Sequence, residues 1–366
     1  MKLVFTSYVS VPEYSDPQSW LKRIEGYTGI LESLGKIHTV VSIGRINYQG
    51  AVSQGNVRYI FLKIKRPVIH FPWKMHQLIK KEKPDVVFVN GLIFPLQVIQ
   101  LRLTLGKKVK IVGIHHAEKP AKGIKKYFQL LADKCIDDYM FAALEFGTEW
   151  KQKGNIKSSN KINEVMEASS FFYPVDKDAA KQQLSINSPV VFVWVGRLDA
   201  NKDPVTVIKA FLQFQQQHTN TVLYMIYQNE ILLDEIRQLL LEATNGKDAV
   251  QLVGKVQHDQ LQQWYNAADF IISGSHYEGS GIAVCEAMSC GCIPVLTNII
   301  SFRAMTDFGK CGFLFEPGNV GSLFDALLQT IAINKTEERK KVLLKFKNDL
   351  SFEAIAARIN TIISKT

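Results

Sequence analysis

The sequence predicts an α/β protein made of two parallel, doubly wound sheets, and three observations carry that expectation. In the first half, short apolar runs alternate with amphipathic stretches. Around residues 167–185 the alternation breaks up at Tyr173-Pro174 and a charged stretch. From Val190 a second series of the same kind begins and continues nearly to the end.

The elements follow in order. Apolar runs at 3–9, 37–43, 57–62, 85–90 and 108–115 read as strands, with helices over 20–34 and 73–82 between them. The second series places strands at 190–195, 221–227, 250–253, 270–273, 293–297 and 313–315. The run Val190-Val-Phe-Val-Trp-Val195 is continuously apolar, as a strand buried on both faces must be. The last segment opens on Ser351 as an N-cap and carries Ile355, Ile359, Ile362 and Ile363 at helical spacing. The expected organisation is a domain over 1–170, a linker over 171–187, a second domain over 188–350 and a terminal helix over 351–366. Two Rossmann-like halves of similar size imply a cleft between them, a favoured place for a small-molecule site.

A chain of 366 residues is long enough for two cores, and 46% hydrophobic with 21% charged residues is a soluble globular balance. No apolar run is long enough to span a bilayer; the nearest, 86–101, is interrupted by Asn90, Pro95, Gln97 and Gln100. The opening residues read as a first strand and not as a signal peptide, so a cytoplasmic protein is expected. Five cysteines, Cys135, Cys285, Cys290, Cys292 and Cys311, show no zinc spacing and read as reduced, mostly buried small hydrophobes.

The net charge of +10 is concentrated in the first half. Lys63, Lys65, Arg66, Lys74, Lys80, Lys81 and Lys83 lie close together. Lys107, Lys108 and Lys110 follow, then Lys119, Lys122, Lys125 and Lys126. One reading is a solvated basic surface. The other is attraction to anionic lipid headgroups, helped by Phe71, Pro72, Trp73 and Met75 between the charges. No nucleic-acid-binding motif accompanies the charge, so nucleic acid is not an expected partner.

Two loops carry chemistry. Gly196-Arg197-Leu-Asp-Ala-Asn-Lys202-Asp203-Pro204 follows the strand at 190–195. Asp203 reads as an N-cap and Pro204 as the first residue of a helix. Arg197 and Lys202 then sit beside a helix start at a strand's carboxyl end, where two cations suit a diphosphate. Pairing with Asp199 and Asp203 on the surface is the alternative. The second loop, Glu278-Gly-Ser-Gly-Ile-Ala-Val-Cys-Glu286, lies between the strands at 269–273 and 293–297. Gly279 and Gly281 leave backbone amides open, and Ser280 and Ile282 are expected to start a helix. Glu286, one turn inside, leans back toward the helix mouth, where it suits two vicinal hydroxyls such as those of a ribose. Glu278, ahead of the helix, would face the reacting group. The plain alternatives are a dipole-favoured surface acid for Glu278 and an exposed helix residue for Glu286.

The combination resembles the retaining, nucleotide-sugar-dependent glycosyltransferases of the GT-B fold, family 4 type (glycosyl transferases group 1). The residues that carry it are Gly196-Arg197-Leu198 with Lys202-Asp203-Pro204, Val253-Gly254-Lys255-Val256, Ser275-His-Tyr-Glu278-Gly279-Ser280-Gly281 with Glu286, Gly291 and Pro294, and Gly312-Phe-Leu-Phe-Glu-Pro317-Gly318. The match covers residues 188–366 well and the first half loosely. It implies that Arg197 and Lys202 hold the donor diphosphate. It implies that the Gly254, Lys255 and Val256 backbone meets the nucleobase and that Glu286 binds the ribose. Glu278 and the amides of Gly279, Ser280, Gly281 and Ile282 would contact the transferred sugar and its phosphate. A histidine at the end of the strand at 108–115, either His115 or His116, would reach the donor sugar; one core and one surface histidine is the alternative. The terminal helix would cross back to the first domain.

Several positions depart from the family pattern. The glycine pair near the first strand is missing, replaced by Val11-Pro-Glu-Tyr-Ser-Asp-Pro-Gln18. Ser280 stands for an aromatic and Gly274 for a proline. Ser301, Phe302 and Met305 stand where two glycines and an acid are usual. The donor site is therefore expected to be shared with the family, and the sugar and acceptor specificity to be this chain's own.

The resemblance implies transfer of a hexosyl or N-acetylhexosaminyl group from a UDP- or GDP-sugar to a glycan or lipid-linked acceptor, with retention. No catalytic metal or other cofactor is expected. The basic first half suggests a cell-surface polysaccharide or lipid-linked acceptor and a peripheral place on the inner membrane face. The rivals are a sugar-nucleotide epimerase or phosphorylase of the same fold and a non-catalytic nucleotide-sugar-binding protein.

Overall fold

The structure, a computed structural model, describes residues 1–64 and 71–365. Lys65 and Arg66 of the basic cluster lie outside the described residues. The chain divides into two compact units: Met1–Ser169 with Phe352–Thr366, and Ser170–Ser351.

The first unit holds strands β1 (Lys2–Ser7), β2 (Thr39–Ile46), β3 (Gly50–Gln54), β4 (Val57–Lys63), β5 (Val86–Asn90), β6 (Lys110–Ile114), β7 (Asp138–Phe141) and β8 (Ile162–Glu164). Its helices are α1 (Pro17–Arg23), α2 (Glu25–Gly35), α3 (Trp73–Lys81), α4 (Pro95–Leu105), α5 (Ile124–Asp133) and α6 (Leu144–Gln152). The sheet order is β3-β4-β2-β1-β5-β6-β7-β8. Every pairing is parallel except the β3–β4 hairpin. The central strands are covered on both faces, so they are apolar without alternation: Leu3, Val4 and Phe5 of β1 and Val86 to Val89 of β5 are all buried. Phe5 and Phe88 stack across that pair with ring centroids 4.2 Å apart.

The second unit holds β9 (Val190–Gly196), β10 (Thr221–Tyr227), β11 (Val250–Gly254), β12 (Phe270–Ser273), β13 (Ile293–Thr297) and β14 (Phe313–Phe315). Its helices are α7 (Lys177–Gln183), α8 (Pro204–Gln217), α9 (Leu233–Glu242), α10 (Gly246–Ala249), α11 (Leu261–Ala267), α12 (Ile282–Ser289), α13 (Ile300–Met305), α14 (Val320–Ala332) and α15 (Lys335–Lys345). The all-parallel order β11-β10-β9-β12-β13-β14 reverses direction between β9 and β12. The last helix, α16 (Phe352–Ile363), belongs to the first unit and packs on α2. The architecture is α/β with two Rossmann-like parallel sheets.

Four features differ from the sequence expectation. The helix over 20–34 is two helices, because Ile24 leaves the helical region and Gly26 lies against Ser169, whose N–H donates to Gly26 O at 2.8 Å. Strands β3, β7 and β8 carry too short or too exposed an apolar pattern to be read in advance. Residues 171–187 are not a free linker but part of the second unit. Asn266 fixes them by accepting from Val175 N at 2.8 Å and donating to Tyr173 O at 3.1 Å, and α7 packs on α11. Finally, Ser280 is not helical: α12 starts at Ile282, with Gly281 as its N-cap.

Candidate functional site

The reversal of strand order between β9 and β12 leaves a crevice at the carboxyl ends of those two strands, the place where open α/β sheets bind ligands. The two motif-bearing loops are the ones that leave those strands. Their backbones are zipped together. His276 N donates to Asn201 O at 2.8 Å, and Asn201 Nδ2 donates to Tyr277 O at 3.1 Å. Gly274 permits this approach: a Cβ there would lie 3.0 Å from both Asp203 O and the Val207 side chain.

Asp203 organises the first loop. It adopts left-handed φ and ψ of 42° and 57°, and its Oδ1 accepts from Thr206 N at 3.2 Å, capping α8 ahead of Pro204. Its Oδ2 accepts from His276 Nε2 at 3.1 Å. Asp199 Oδ1 accepts from Lys202 N at 3.0 Å, and Asp199 Oδ2 lies 3.1 Å from Arg197 Nε. Arg197 is exposed and pairs with Asp199, one of the two partners considered from sequence. Lys202 turns elsewhere: its ammonium donates to Glu278 Oε1 of the second loop.

Ser280 is buried, and Gly281 then turns the chain into α12 at φ 58°, a region that favours glycine. A Cβ at Gly281 would sit 2.7 Å from the Phe302 ring, with Met305 Sδ at 3.4 Å. Phe302 and Met305, two of the positions where this chain departs from the family pattern, thus fill the space beneath the turn. Gly281 gives α12 no side-chain cap, and the first intrahelical bonds run from Val284 N and Cys285 N to Gly281 O at 3.0 Å, which leaves the amides of Ile282 and Ala283 ahead of them at the helix start.

Glu286 is 6% exposed, which rules out the ordinary surface helix residue. Its Oε1 accepts from His258 Nε2 at 2.6 Å and its Oε2 from the Tyr265 hydroxyl at 3.1 Å. Burial, with the Glu286 carboxylate beside it, pushes the Tyr265 hydroxyl well above its ordinary range, so it remains a donor. The Phe172 ring packs on His258 at 5.1 Å. Gly254 ends β11 at φ 84° with open space where a Cβ would be, and Lys255 and Val256 continue as a loop toward His258. Sequence reasoning missed His258 and Tyr265. The only signal was a polar ring at each of two positions, which no spacing rule connects to Glu286.

Glu278 and Lys202 are therefore brought together, as are Glu286, His258 and Tyr265. The remaining residues, His115 and His116, lie in the first unit at the carboxyl end of β6. His115 is 1% exposed among Phe141, Phe146 and Trp150; its Nε2 donates to Glu118 O at 2.9 Å. Burial lowers its pKa below the usual value, and its Nδ1 has no hydrogen-bond partner. His116 is exposed and bonds Glu167 through Nδ1. Partial desolvation opposes its charge, but the bond to Glu167 and the carboxylates of Glu167 and Glu118 outweigh that and raise its pKa. Glu118 ties two loops, accepting from Leu92 N at 3.0 Å and His116 N at 2.6 Å. Neither Glu118 nor Glu167 was singled out from sequence.

Residues 176–342 match the family described as glycosyl transferases group 1. O-antigen chain mannosyltransferase B of Escherichia coli is 30% identical over 98 residues, 27% of this chain and 25% of that one. The GDP-mannose:cellobiosyl-diphosphopolyprenol alpha-mannosyltransferase of Komagataeibacter xylinus is 32% identical over 74 residues, 20% of this chain and 19% of that one. The aligned stretches thus span a quarter or less of these two relatives. Among solved structures, Anabaena HepE in complex with UDP and glucose superposes with a TM-score of 0.72 at 15% identity, covering 100% of both chains. At that identity the likeness shows the fold, which is that of GT-B glycosyltransferases.

Proposed function

We propose that this chain, whose residues 176–342 match the glycosyl transferases group 1 family, is a retaining glycosyltransferase that takes its sugar from a nucleotide-sugar donor. One observation supports the reading above the others: Lys202 and Glu278, from separate loops at the reversal of the sheet, meet beside the uncapped start of α12. A cation, a carboxylate and a helix N-terminus in one place suit a sugar diphosphate.

In this reading Arg197, Lys202 and the α12 amides hold the diphosphate and stabilise the charge that grows on it as the glycosidic bond breaks. No metal is invoked. Glu286 takes the ribose hydroxyls, exchanging its bonds to His258 and Tyr265 for bonds to the sugar. The Gly254 to Val256 backbone meets the base. Glu278, released from Lys202 when phosphate arrives, orients the transferred sugar. The acceptor oxygen bonds to the anomeric carbon on the face the diphosphate leaves, and its proton passes to a leaving phosphate oxygen. His116, the exposed member of its pair, is the one suited to a sugar hydroxyl.

The names of the relatives point to a hexose, and two of them to lipid-linked or cell-surface glycans. A UDP- or GDP-hexose donor and a lipid-linked or polysaccharide acceptor are accordingly proposed. The test is a panel of UDP- and GDP-sugars incubated with the protein, following free UDP or GDP with and without membrane lipid extract. Release from one donor supports the reading. No release from any, with thermal stability unchanged by nucleotide, overturns it.

A further inference from the structure

Helix α5 is amphipathic with its faces reversed. Its buried residues include Gln129 and Asp133, while Ile124, Tyr127, Phe128 and Leu131 stand in solvent. Those four are spaced i, i+3, i+4 and i+7, one continuous stripe. Tyr127 is 71% exposed and Ile124 73%. The inward polar face is satisfied: Asp133 accepts from the Tyr139 hydroxyl at 3.0 Å and from Lys157 N at 3.3 Å. The helix therefore buries two polar side chains beside Ala132, half-buries Leu130, and presents its four other large apolar side chains outward, contrary to what core packing requires.

Cations gather at the N-terminal end of the stripe. Lys119, Lys122 and Lys125 are exposed, and the only acid of α5, Asp133, faces inward. The topology extends the surface. In a sheet of parallel strands the crossover helices run back against the strands, so α3, α4 and α5 all begin at the carboxyl edge. Exposed Trp73 opens α3, and exposed Ile93 and Leu96 flank the start of α4, which packs against both neighbours. Pro72 and Met75, expected from sequence to share the lipid-facing role, are buried. Among the described residues no helix is long and apolar enough to cross a membrane.

We propose that the outward face of α5, with its Ile124, Tyr127, Phe128 and Leu131 stripe and its flanking lysines, is a docking surface for an anionic lipid bilayer. Apolar side chains would enter the headgroup region while the lysines meet lipid phosphates, the arrangement of an interfacial helix. The role of this contact, bringing a lipid-linked acceptor to the carboxyl edge of the first sheet, rests on the transferase reading; the contact itself does not.

The test is co-sedimentation of the full chain with vesicles of phosphatidylcholine alone and with added phosphatidylglycerol. Binding is expected only with the anionic lipid and is expected to fall as salt rises. Each of Lys119→Gln, Lys122→Gln and Lys125→Gln is expected to lower partitioning about fivefold. The double variant Tyr127→Ser/Leu131→Ser is expected to lower it at least about tenfold, with unfolding temperature unchanged because both side chains are exposed. No binding to anionic vesicles at low salt, or equal binding by these variants, overturns the proposal. So does self-association of the chain that the double variant abolishes without any vesicle binding, since that assigns the face to a second copy. Nucleotide binding measured without vesicles reads the transferase function separately.

Discussion

Lys202 and Glu286 serve different parts of the same proposed ligand, and binding can separate them. Lys202→Ala is expected to weaken both UDP and inorganic pyrophosphate, by about tenfold or more, since a charge-assisted hydrogen bond contributes about 1.5–3 kcal/mol. Glu286→Ala is expected to weaken UDP by a similar factor and leave pyrophosphate unchanged. Calorimetric titration of the two ligands checks both; equal losses for pyrophosphate in the two variants would contradict the division of roles. A second residue-scale effect lies in the first unit. His76 is buried, its Nε2 hydrogen-bonded to the Tyr8 hydroxyl at 2.9 Å, and burial lowers its pKa from 6.5 to about 4. Above pH 6.5 the ring is neutral folded or unfolded and has no linkage effect. As pH falls below 6.5 the unfolded chain takes up a proton the folded one refuses, so stability declines until about pH 4, by up to about 3 kcal/mol. Urea unfolding at pH 7 and pH 4.5 should show a smaller acid loss for His76→Gln than for the parent chain.

At the scale of elements, α12 and α8 begin in unlike ways, and each beginning makes a prediction. Gly281→Ala puts a Cβ into a left-handed position and 2.7 Å from Phe302, so it is expected to destabilise by about 1–3 kcal/mol and to disturb nucleotide binding with it. Asp203→Ala removes the α8 cap and the His276 bond and is expected to cost about 1 kcal/mol. Thermal melts check both, and a Gly281→Ala protein as stable as the parent would sink the account of this turn. The sequence was most informative at this scale. Asp203-Pro204 and the glycines around Ser280 are local signals, because a cap or a left-handed turn is satisfied by atoms a few residues away. The break at Ile24 and the strands β7 and β8 were not legible, because their causes are neighbours far along the chain, such as Ser169 against Gly26.

For the whole molecule, the return of α16 to the first unit is the largest long-range commitment. Phe352, Ile355, Ile359, Ile362 and Ile363 are buried, and a Cβ on Gly29 would lie 2.5 Å from the Phe352 ring. Deleting residues 352–366 is expected to destabilise the first unit by several kcal/mol, at about 1.5–3 kcal/mol per large apolar side chain, and to leave the second unit intact. Hydrogen exchange resolved along the chain checks this. Loss of protection confined to Ser170–Ser351 would contradict it.

The sequence by itself determined the α/β class, most strands of both sheets, the Asp203 cap of α8 and the residue types suited to a sugar diphosphate. Each of these depends on periodicity or on contacts within a few residues. Only the tertiary structure decided that Lys202 pairs with Glu278, that Glu286 is held by His258 and Tyr265, that His115 is buried while His116 is not, and that α5 turns its apolar face outward. Those outcomes depend on which surfaces the sheets bury, and burial is set by neighbours brought together from 21 to 76 positions away, beyond the reach of any local pattern.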